Sequence, residues 1–194
     1  MSALDRRRFA ALLAGAGLAA SGLAPREVEP EVLRFEPSEG IPNNPRLPVL
    51  LYRGALGAEA NDPAVYEALF QRNGWPPQWR NGVYSFHHYH ATAHEVLGFA
   101  GGRARLLLGG PGGKEVTVSA GDIVLLPAGT GHRRLEASSD FLVVGAYPPD
   151  QHPDIQRQAA TPELLQKIAA VAIPEADPVL GATGPYRRLW REPK

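Results

Sequence analysis

The chain contains no cysteine, so disulfide bonds, iron–sulfur clusters and thiolate-bound zinc are all excluded. Its 20 basic and 20 acidic residues give a net charge of zero, and no block of lysine or arginine occurs beyond the extreme N-terminus. Because such a chain offers no basic face, nucleic acid is not expected as a partner. Long hydrophobic runs are also missing. The uncharged stretch from Ala10 to Ala24 is too short and too weakly apolar for a stable membrane span.

Residues 1–24 have the composition of an export signal. Arg6-Arg7-Arg8-Phe9 precedes a short stretch rich in Ala and Gly, and small residues follow at two candidate cleavage points, Ala20-Ser21-Gly22 and Gly22-Leu23-Ala24. This order of features is typical of a signal peptide, and paired arginines followed by x-Phe resemble the twin-arginine signal. The sequence therefore predicts export to the periplasm by the twin-arginine route. The alternative is an amphipathic or frayed N-terminal helix.

The rest of the chain has the composition of one globular domain with extensions, at 44% apolar and 21% charged residues. We expect an N-terminal arm and helix over 25–80, a barrel core over 81–150, and a C-terminal helix and tail over 151–194 that pack on the barrel. Residues 25–48 are rich in Pro, Glu and Asn, so they predict an extended arm without a regular element. In the tail, Leu189 and Trp190 are the residues expected to dock on the barrel.

Caps and turn residues predict the secondary structure. Asp62-Pro63 indicates the start of a helix that ends at Arg72, and Thr161-Pro162 indicates a second helix that ends near Val171. A short apolar run predicts a strand over 49–52. From Val83 onwards, short strands alternate with turns, most of them glycine-containing, and these strands are predicted at 83–90, 94–100, 104–108, 114–119, 123–127, 132–137 and 141–147. Many short strands at close spacing indicate an antiparallel sandwich or barrel.

Two spaced runs in this region hold or adjoin five of the six histidines. The runs are Gly82-x5-His88-x-His90-x4-Glu95-x6-Gly102 and Gly121-x5-Pro127-x-Gly129-x2-His132. Three imidazoles and one carboxylate suit a divalent first-row metal, because neutral nitrogen and anionic oxygen both donate well to it. The candidate metal ligands are therefore His88, His90, Glu95 and His132.

Strand alternation predicts which side chains accompany these ligands. Residues two apart share a face of a strand, so Tyr84 and Phe86 should line the barrel interior beside His88. By the same reasoning Arg134 should share the face of His132, where it would bind a carboxylate or phosphate of a substrate. The alternative for Arg134 is an ion pair with Glu136. The three residues Tyr84, Phe86 and Arg134 form the predicted substrate pocket.

The two runs resemble the paired motifs of the cupin superfamily over residues 82–136. The resemblance implies an all-β fold, a single-domain double-stranded β-helix or jelly-roll barrel, with His88, His90, Glu95 and His132 holding a metal inside it. One departure is Glu136, which stands where cupins often have Asn. The stretches 86–98, 144–148 and 177–179 are similar to the YjlB-type single-domain bacterial cupins. The resemblance also suggests a homodimer.

Two further histidines and two tryptophans near the runs have less specific interpretations. Alternation turns His87 and His94 away from the ligands, which indicates surface exposure or a hydrogen bond that orients a ligand. Trp75 and Trp79 flank two prolines, and they either wall the barrel mouth or pack against the N-terminal arm.

Four protein ligands leave open positions on a five- or six-coordinate metal, where a small molecule or dioxygen can bind. A carboxylate among imidazoles favours Mn, Fe, Ni or Co over a closed zinc site. The sequence thus predicts a small metal-binding cupin, and the resemblance implies an oxygenase or an isomerase/lyase that acts on a small oxygen-rich molecule. The alternative is a non-catalytic metal or small-ligand binding protein of the cell envelope.

Overall fold

The structure is a computed structural model that describes residues 25, 28–57 and 59–191. The predicted signal peptide, residues 1–24, lies outside the described residues. None of the helices in the described part of the chain is long and apolar enough to cross a lipid bilayer.

The described residues form nine strands and two α-helices. The strands are β1 (Glu31–Leu33), β2 (Val49–Tyr52), β3 (Pro77–Asn81), β4 (Glu95–Gly101), β5 (Arg103–Leu108), β6 (Lys114–Ser119), β7 (Ile123–Leu126), β8 (His132–Ala137) and β9 (Leu142–Ala146). The helices are α1 (Pro63–Arg72) and α2 (Pro162–Ala170), and a π-helical turn covers Arg187–Arg191. Both helices begin at the predicted caps. The Asp62 side chain accepts a hydrogen bond from the Ala64 N–H, and Thr161 accepts one from the Leu164 N–H.

Two antiparallel sheets form a jelly-roll sandwich, which confirms the predicted all-β fold class. The larger sheet has the strand order β1-β2-β7-β4-β9-β3, and the smaller has the order β6-β5-β8. Strands β1 to β3 come from residues 31–81, so the region expected as an arm and helix supplies half of the larger sheet.

The inner and outer faces of the larger sheet are both buried. Val49 and Leu51 of β2 point between the two sheets, where they meet Leu106 of β5. Leu50 and Tyr52 point to the opposite side, towards α1 and the C-terminal tail. Burial on both faces explains the near-continuous apolar runs of the central strands, because alternation with polar residues needs one solvated face.

Helix α1 packs closely on the outer face because β4 carries a glycine there. A Cβ at Gly98 would lie 2.3 Å from Cδ1 of Tyr66 and 3.0 Å from Cζ of Phe70, both fully buried residues of α1. The tail covers the same face through Trp190, which is fully buried and donates a hydrogen bond from Nε1 to the Pro48 carbonyl at 2.9 Å. Trp190 is one of the two tail residues that the sequence singled out for this role.

The structure differs from the sequence prediction in three strands. The predicted strand over 83–90 is wrong, because this segment makes only isolated bridges, His88 to His132 and Tyr89 to Gln156, with two different partner segments. Two strands were missed, β1 in the arm and β3 at Pro77–Asn81, and both are short edge strands. Proline at the start of an edge strand is tolerated because its missing N–H is not needed for pairing.

Candidate metal centre

The backbone joins the two histidine runs directly. The N–H of His88 donates to the carbonyl of His132 at 3.2 Å, and the N–H of His132 donates to the carbonyl of His88 at 2.9 Å. This reciprocal pair is a bridge of antiparallel type, in which facing side chains lie close together. The two imidazole rings consequently have centroids only 4.0 Å apart.

The N-terminal arm supports the loop that precedes His132. Asn43, which is buried, donates from Nδ2 to the carbonyl of Gly109 at 3.0 Å and accepts at Oδ1 from the N–H of Gly131 at 3.1 Å. The carbonyl of Gly131 in turn accepts from the N–H of Gly109. The position of His132 therefore depends on the arm as well as on β8.

Three histidines converge on one point inside the sandwich. His88, His90 and His132 are all buried and can each offer a ring nitrogen such that the three atoms lie within 4.8 Å of one another. Glu95, at the start of β4, is also buried, and its Oε2 lies 3.4 Å from Nε2 of His90 and 3.2 Å from Nε2 of His132. The structure thus brings together all four residues that the sequence singled out as candidate ligands.

Hydrogen bonds fix the tautomer of each histidine in the cluster. Nδ1 of His88 lies 3.3 Å from the Phe86 carbonyl, Nδ1 of His132 lies 3.0 Å from the Thr130 carbonyl, and Nδ1 of His90 contacts the carbonyl of Asp154. A carbonyl oxygen only accepts hydrogen bonds, so each neutral ring carries its proton on Nδ1. The Nε2 lone pairs are then free to bind a metal, which is the arrangement that metal-ligating histidines normally have.

Glu95 is held by a hydrogen-bond chain on the opposite side from the histidines. The hydroxyl of Tyr147 donates to Oε1 of Glu95 at 2.6 Å and accepts from Nε1 of Trp79 at 2.9 Å. Trp79 fits closely over β9 because a Cβ at Gly145 would lie 2.0 Å from its ring. With Oε1 occupied by Tyr147, the second oxygen, Oε2, faces the imidazoles.

Two buried atoms in the cluster lack a hydrogen-bond partner, namely Nε2 of His90 and Oε2 of Glu95. A buried polar atom without a hydrogen-bond partner costs free energy. Two such atoms side by side therefore indicate that an ion or a small molecule binds to them. A divalent cation fits both atoms, because it takes neutral nitrogen and anionic oxygen as ligands. The donor set therefore fits the metal that the fold family implies.

The electrostatics of the cluster also favour a cation. Burial opposes the charge on Glu95, but the neighbouring His90 and His132 outweigh it and hold the pKa of this carboxyl well below its usual range. Burial likewise opposes a charge on His90, and the Glu95 carboxylate outweighs it and raises the pKa of His90. Burial and the neighbouring histidines lower the pKa of His88 to about 2. Glu95 thus remains a carboxylate that attracts positive charge to this point.

Asp154 fixes the turn that carries His90. Its Oδ1 accepts from the N–H of Ala91 at 2.7 Å and of Thr92 at 3.2 Å, while its own carbonyl contacts Nδ1 of His90. The neighbouring Gln156 pairs with Tyr89 through both backbone groups. The segment after β9 therefore closes over one side of the histidine cluster.

A cavity of about 320 Å³ opens beside the cluster. His88, His90, Glu95 and His132 form one end of it, and Tyr147 and Leu97 lie next to them. The remaining wall comes from five apolar or aromatic residues, Trp79, Val83, Tyr84, Pro153 and Ile155, and from Asn81 and Gly82. A small molecule in this cavity would reach the Nε2 atoms directly.

The predicted substrate-pocket residues occupy different places. Tyr84 lines the cavity, whereas Phe86 and Arg134 do not. Phe86 lies behind Tyr84 as a stacked ring at 4.8 Å between centroids. Arg134 shares the inner side of β8 opposite Leu106, near Gly82. Its suggested partner, Glu136, pairs instead with Arg105 at 2.7 Å, because a register shift in β8 places Glu136 opposite that residue.

The other histidines stay outside the cluster. His94 is fully buried, and its Nδ1 accepts from the N–H of Ala128 at 2.9 Å while its ring packs edge-on against Trp190. Burial lowers the pKa of His94 to about 3, so it is a neutral residue of the interior. His87 is half-buried and His152 is exposed.

Sequence reasoning missed Tyr147, Asp154 and the cavity role of Ile155. Tyr147 lies 52 residues from Glu95 and Asp154 lies 64 residues from His90. No local pattern signals either contact, because both depend on how β9 and the following segment pass beside the histidines. Of the two alternatives for Trp79, the structure shows the wall, because Trp79 lines the cavity.

Sequence comparison finds a relative of this chain among known proteins. No family model matches the chain. The chain is 36% identical over 159 residues to the uncharacterized protein YjlB of Bacillus subtilis, an alignment that covers 80% of this chain and 94% of that protein.

Two solved structures are more distantly similar. A DUF861 family protein of Thermotoga maritima is 23% identical and has a TM-score of 0.31 over 45% of this chain and 92% of that one. The oxalate decarboxylase OxdC of Bacillus subtilis is 18% identical and has a TM-score of 0.34 over 66% of this chain and 33% of that one. The identity to YjlB over almost the whole length of that protein shows that the chain belongs to the same family as YjlB.

Proposed function

We propose that this protein is a metal-dependent enzyme that acts on a small molecule in the 320 Å³ cavity. The observation that carries the proposal is the set of three imidazoles whose Nδ1 atoms all face backbone carbonyls, so that three free Nε2 atoms converge beside a partner-less carboxylate oxygen. A purely structural cluster would not need this arrangement to open onto a cavity.

His88, His90, His132 and Glu95 would hold the metal. When bound, a divalent first-row metal supplies Lewis acidity towards a substrate oxygen and, for a redox metal, electron transfer to dioxygen. Mn, Fe, Ni or Co fits a set with a carboxylate and no thiolate better than a closed zinc site does.

The chain itself supplies orientation and water exclusion. The Tyr147 hydroxyl stays protonated, because burial and the Glu95 charge raise the pKa of this phenol. It therefore donates a hydrogen bond to Oε1 of Glu95. Asp154 holds the turn of His90, and Asn43 holds the loop before His132. Leu97 and Val83, both buried, keep the inner end of the cavity apolar, which strengthens electrostatic interactions there.

The reaction classes that fit are oxygenation and isomerase or lyase chemistry on an oxygen-rich small molecule. The alternative is a protein of the cell envelope that binds a metal or small ligand without turnover. Dioxygen uptake by the iron-loaded protein in the presence of a substrate favours the enzyme. Stoichiometric metal with no position open to an added ligand favours the binding protein.

The experiment that tests the metal site is elemental analysis of the purified protein and three alanine variants. We expect about one Mn, Fe, Co or Ni per chain in the wild type, and none in His88→Ala or His132→Ala. His152→Ala is the matched control, because His152 is exposed and should keep the full metal content. Metal retained in His88→Ala and His132→Ala would overturn the assignment.

We further propose that residues 1–24 direct export to the periplasm by the twin-arginine route, which carries folded proteins and lets the metal bind before export. The support is the sequence Arg6-Arg7-Arg8-Phe9 followed by a weakly apolar stretch. Replacing Arg6 and Arg7 by Lys should retain the full-length chain in the cytoplasm of the expressing cell. Processed periplasmic protein from that variant would contradict the proposal.

A further inference from the structure

The cavity beside the histidine cluster has an unusual charge composition. Among the residues that line it, the only charged carboxylate is Glu95, and no lysine or arginine is present in the lining. With a divalent metal bound, the metal and Glu95 together carry one net positive charge, so the second negative charge of a dicarboxylate or a phosphate would have no cationic side chain in the lining to offset it. Such an arrangement is costly in a buried site, because burial disfavours a charge that nothing offsets.

The mouth of the cavity carries two exposed apolar side chains beside the polar Asn81. Four large hydrophobic side chains are prominently exposed in the described part of the chain, and two of them, Tyr84 at 48% and Ile155 at 50%, line this cavity. They belong to segments about 70 residues apart that meet at the mouth. Exposed apolar residues concentrated at one opening mark a surface that an apolar ligand covers.

The Tyr84 ring is held in place from behind. It stacks on Phe86 at 4.8 Å between centroids and lies edge-on to His88 at 5.1 Å. Phe86 in turn lies under the guanidinium of Arg157, 4.1 Å from the ring centroid. A fixed aromatic face next to a candidate metal ligand can bind a planar group without losing much side-chain entropy.

Two arginines, Arg134 and Arg157, lie near the mouth of the cavity. Arg157 is engaged with the Phe86 ring. Nη1 of Arg134 lies 3.6 Å from the place where a Cβ of Gly82 would stand, and Arg134 is not part of the lining. Both cations therefore lie outside the lining that includes the four candidate metal ligands.

We propose that the site takes a substrate with one metal-chelating oxygen group, uncharged when free, and an apolar, preferably aromatic, body that lies against Tyr84 and Ile155. This inference rests on the proposed function, because the chelating group is assigned to the metal centre. It names the substrate class of that site and separates it from dicarboxylates and phosphates.

The test compares two neutral chelators that differ only in their apolar part, acetohydroxamate and benzohydroxamate. Isothermal titration calorimetry of the cobalt-loaded protein gives their dissociation constants, and oxalate and inorganic phosphate are titrated in parallel. We expect benzohydroxamate to bind about tenfold tighter than acetohydroxamate, from the extra apolar surface that it buries. Oxalate and phosphate should bind more weakly than benzohydroxamate.

Substitutions of Tyr84 and Ile155 test whether the preference for benzohydroxamate arises at the mouth of the cavity. Tyr84→Ala and Ile155→Ala should reduce the preference for benzohydroxamate to less than threefold and leave the affinity for acetohydroxamate nearly unchanged. The matched control is Leu165→Ala, since Leu165 is 49% exposed and does not line the cavity. This control should keep the full preference.

The outcomes distinguish the two proposals. Equal affinity for both hydroxamates, or tighter binding of oxalate or phosphate, overturns the substrate class while the metal centre stands. A preference that survives in both Tyr84→Ala and Ile155→Ala overturns the assignment to this mouth. Failure of the protein to bind cobalt at all contradicts the proposed function itself, and with it the inference that rests on it.

Discussion

Replacement of Tyr147 by phenylalanine should weaken metal binding without unfolding the protein. The substitution removes one hydroxyl, which donates to Oε1 of the buried Glu95 carboxylate at 2.6 Å and accepts from Nε1 of Trp79. A hydrogen bond to a charged group contributes about 1.5–3 kcal/mol. Residues that orient metal ligands typically change metal affinity by about 10- to 100-fold. We therefore expect the dissociation constant for Mn or Co to rise by a factor in that range.

The assay is competition between the protein and a chromophoric chelator at fixed pH. Tyr84→Phe is the matched control, because it loses a hydroxyl from the same cavity but not the bond to Glu95. We expect this control to change the affinity less than twofold. If Tyr147→Phe keeps the wild-type affinity while Glu95→Gln binds the metal more weakly, Tyr147 does not orient the carboxylate and the reasoning is refuted.

Three further predictions concern the ligands, the pH dependence and the tail. Removing either His88 or His132 by alanine substitution should abolish stoichiometric metal in elemental analysis, and full metal content in both variants would contradict the ligand set. Metal affinity should fall as the pH falls, because a proton that binds an Nε2 atom displaces the metal from that ligand. The pKa of His90 is raised, so His90 should be among the first ligands to take up a proton. Dialysis should therefore remove the metal by about pH 5, and retention well below that value would count against imidazole ligands. Trp190→Ala deletes a fully buried ring that donates to the Pro48 carbonyl, and it should lower the free energy of unfolding by about 3–5 kcal/mol in denaturant titration; a loss below 1 kcal/mol would show that the tail is not part of the core.

The sequence predicted the fold where local rules decide the structure. Helix α1 begins after the Asp62 cap at Pro63, and strands such as Lys114–Ser119 are bounded by turn glycines. Strand alternation failed for residues 83–90, because their partners are two separate segments and no ladder forms. The edge strand β3 was missed because the prolines at 76 and 77, just before and at its first residue, indicate a turn when read locally.

The candidate site likewise combines residues that the sequence predicted with residues that it did not. The four candidate ligands lie in two motifs with fixed spacing, so their meeting in space followed from the sequence. The groups that orient them come from distant segments. Tyr147 reaches Glu95, Asp154 reaches the turn of His90, and Asn43 reaches the loop before His132 only after the chain has folded. Arg134 shows the converse, since a residue on the expected side of its strand still does not line the cavity.

X-ray absorption spectroscopy of the metal-loaded protein tests the central claim most directly, because it counts the atoms around the metal and identifies imidazole rings. The account predicts three imidazole nitrogens and at least one carboxylate oxygen in the inner coordination sphere, at about 2.0–2.2 Å. In Glu95→Gln the three imidazoles should remain and the carboxylate contribution should be lost. A sphere with fewer than three imidazoles in the wild-type protein would contradict the assignment of His88, His90 and His132.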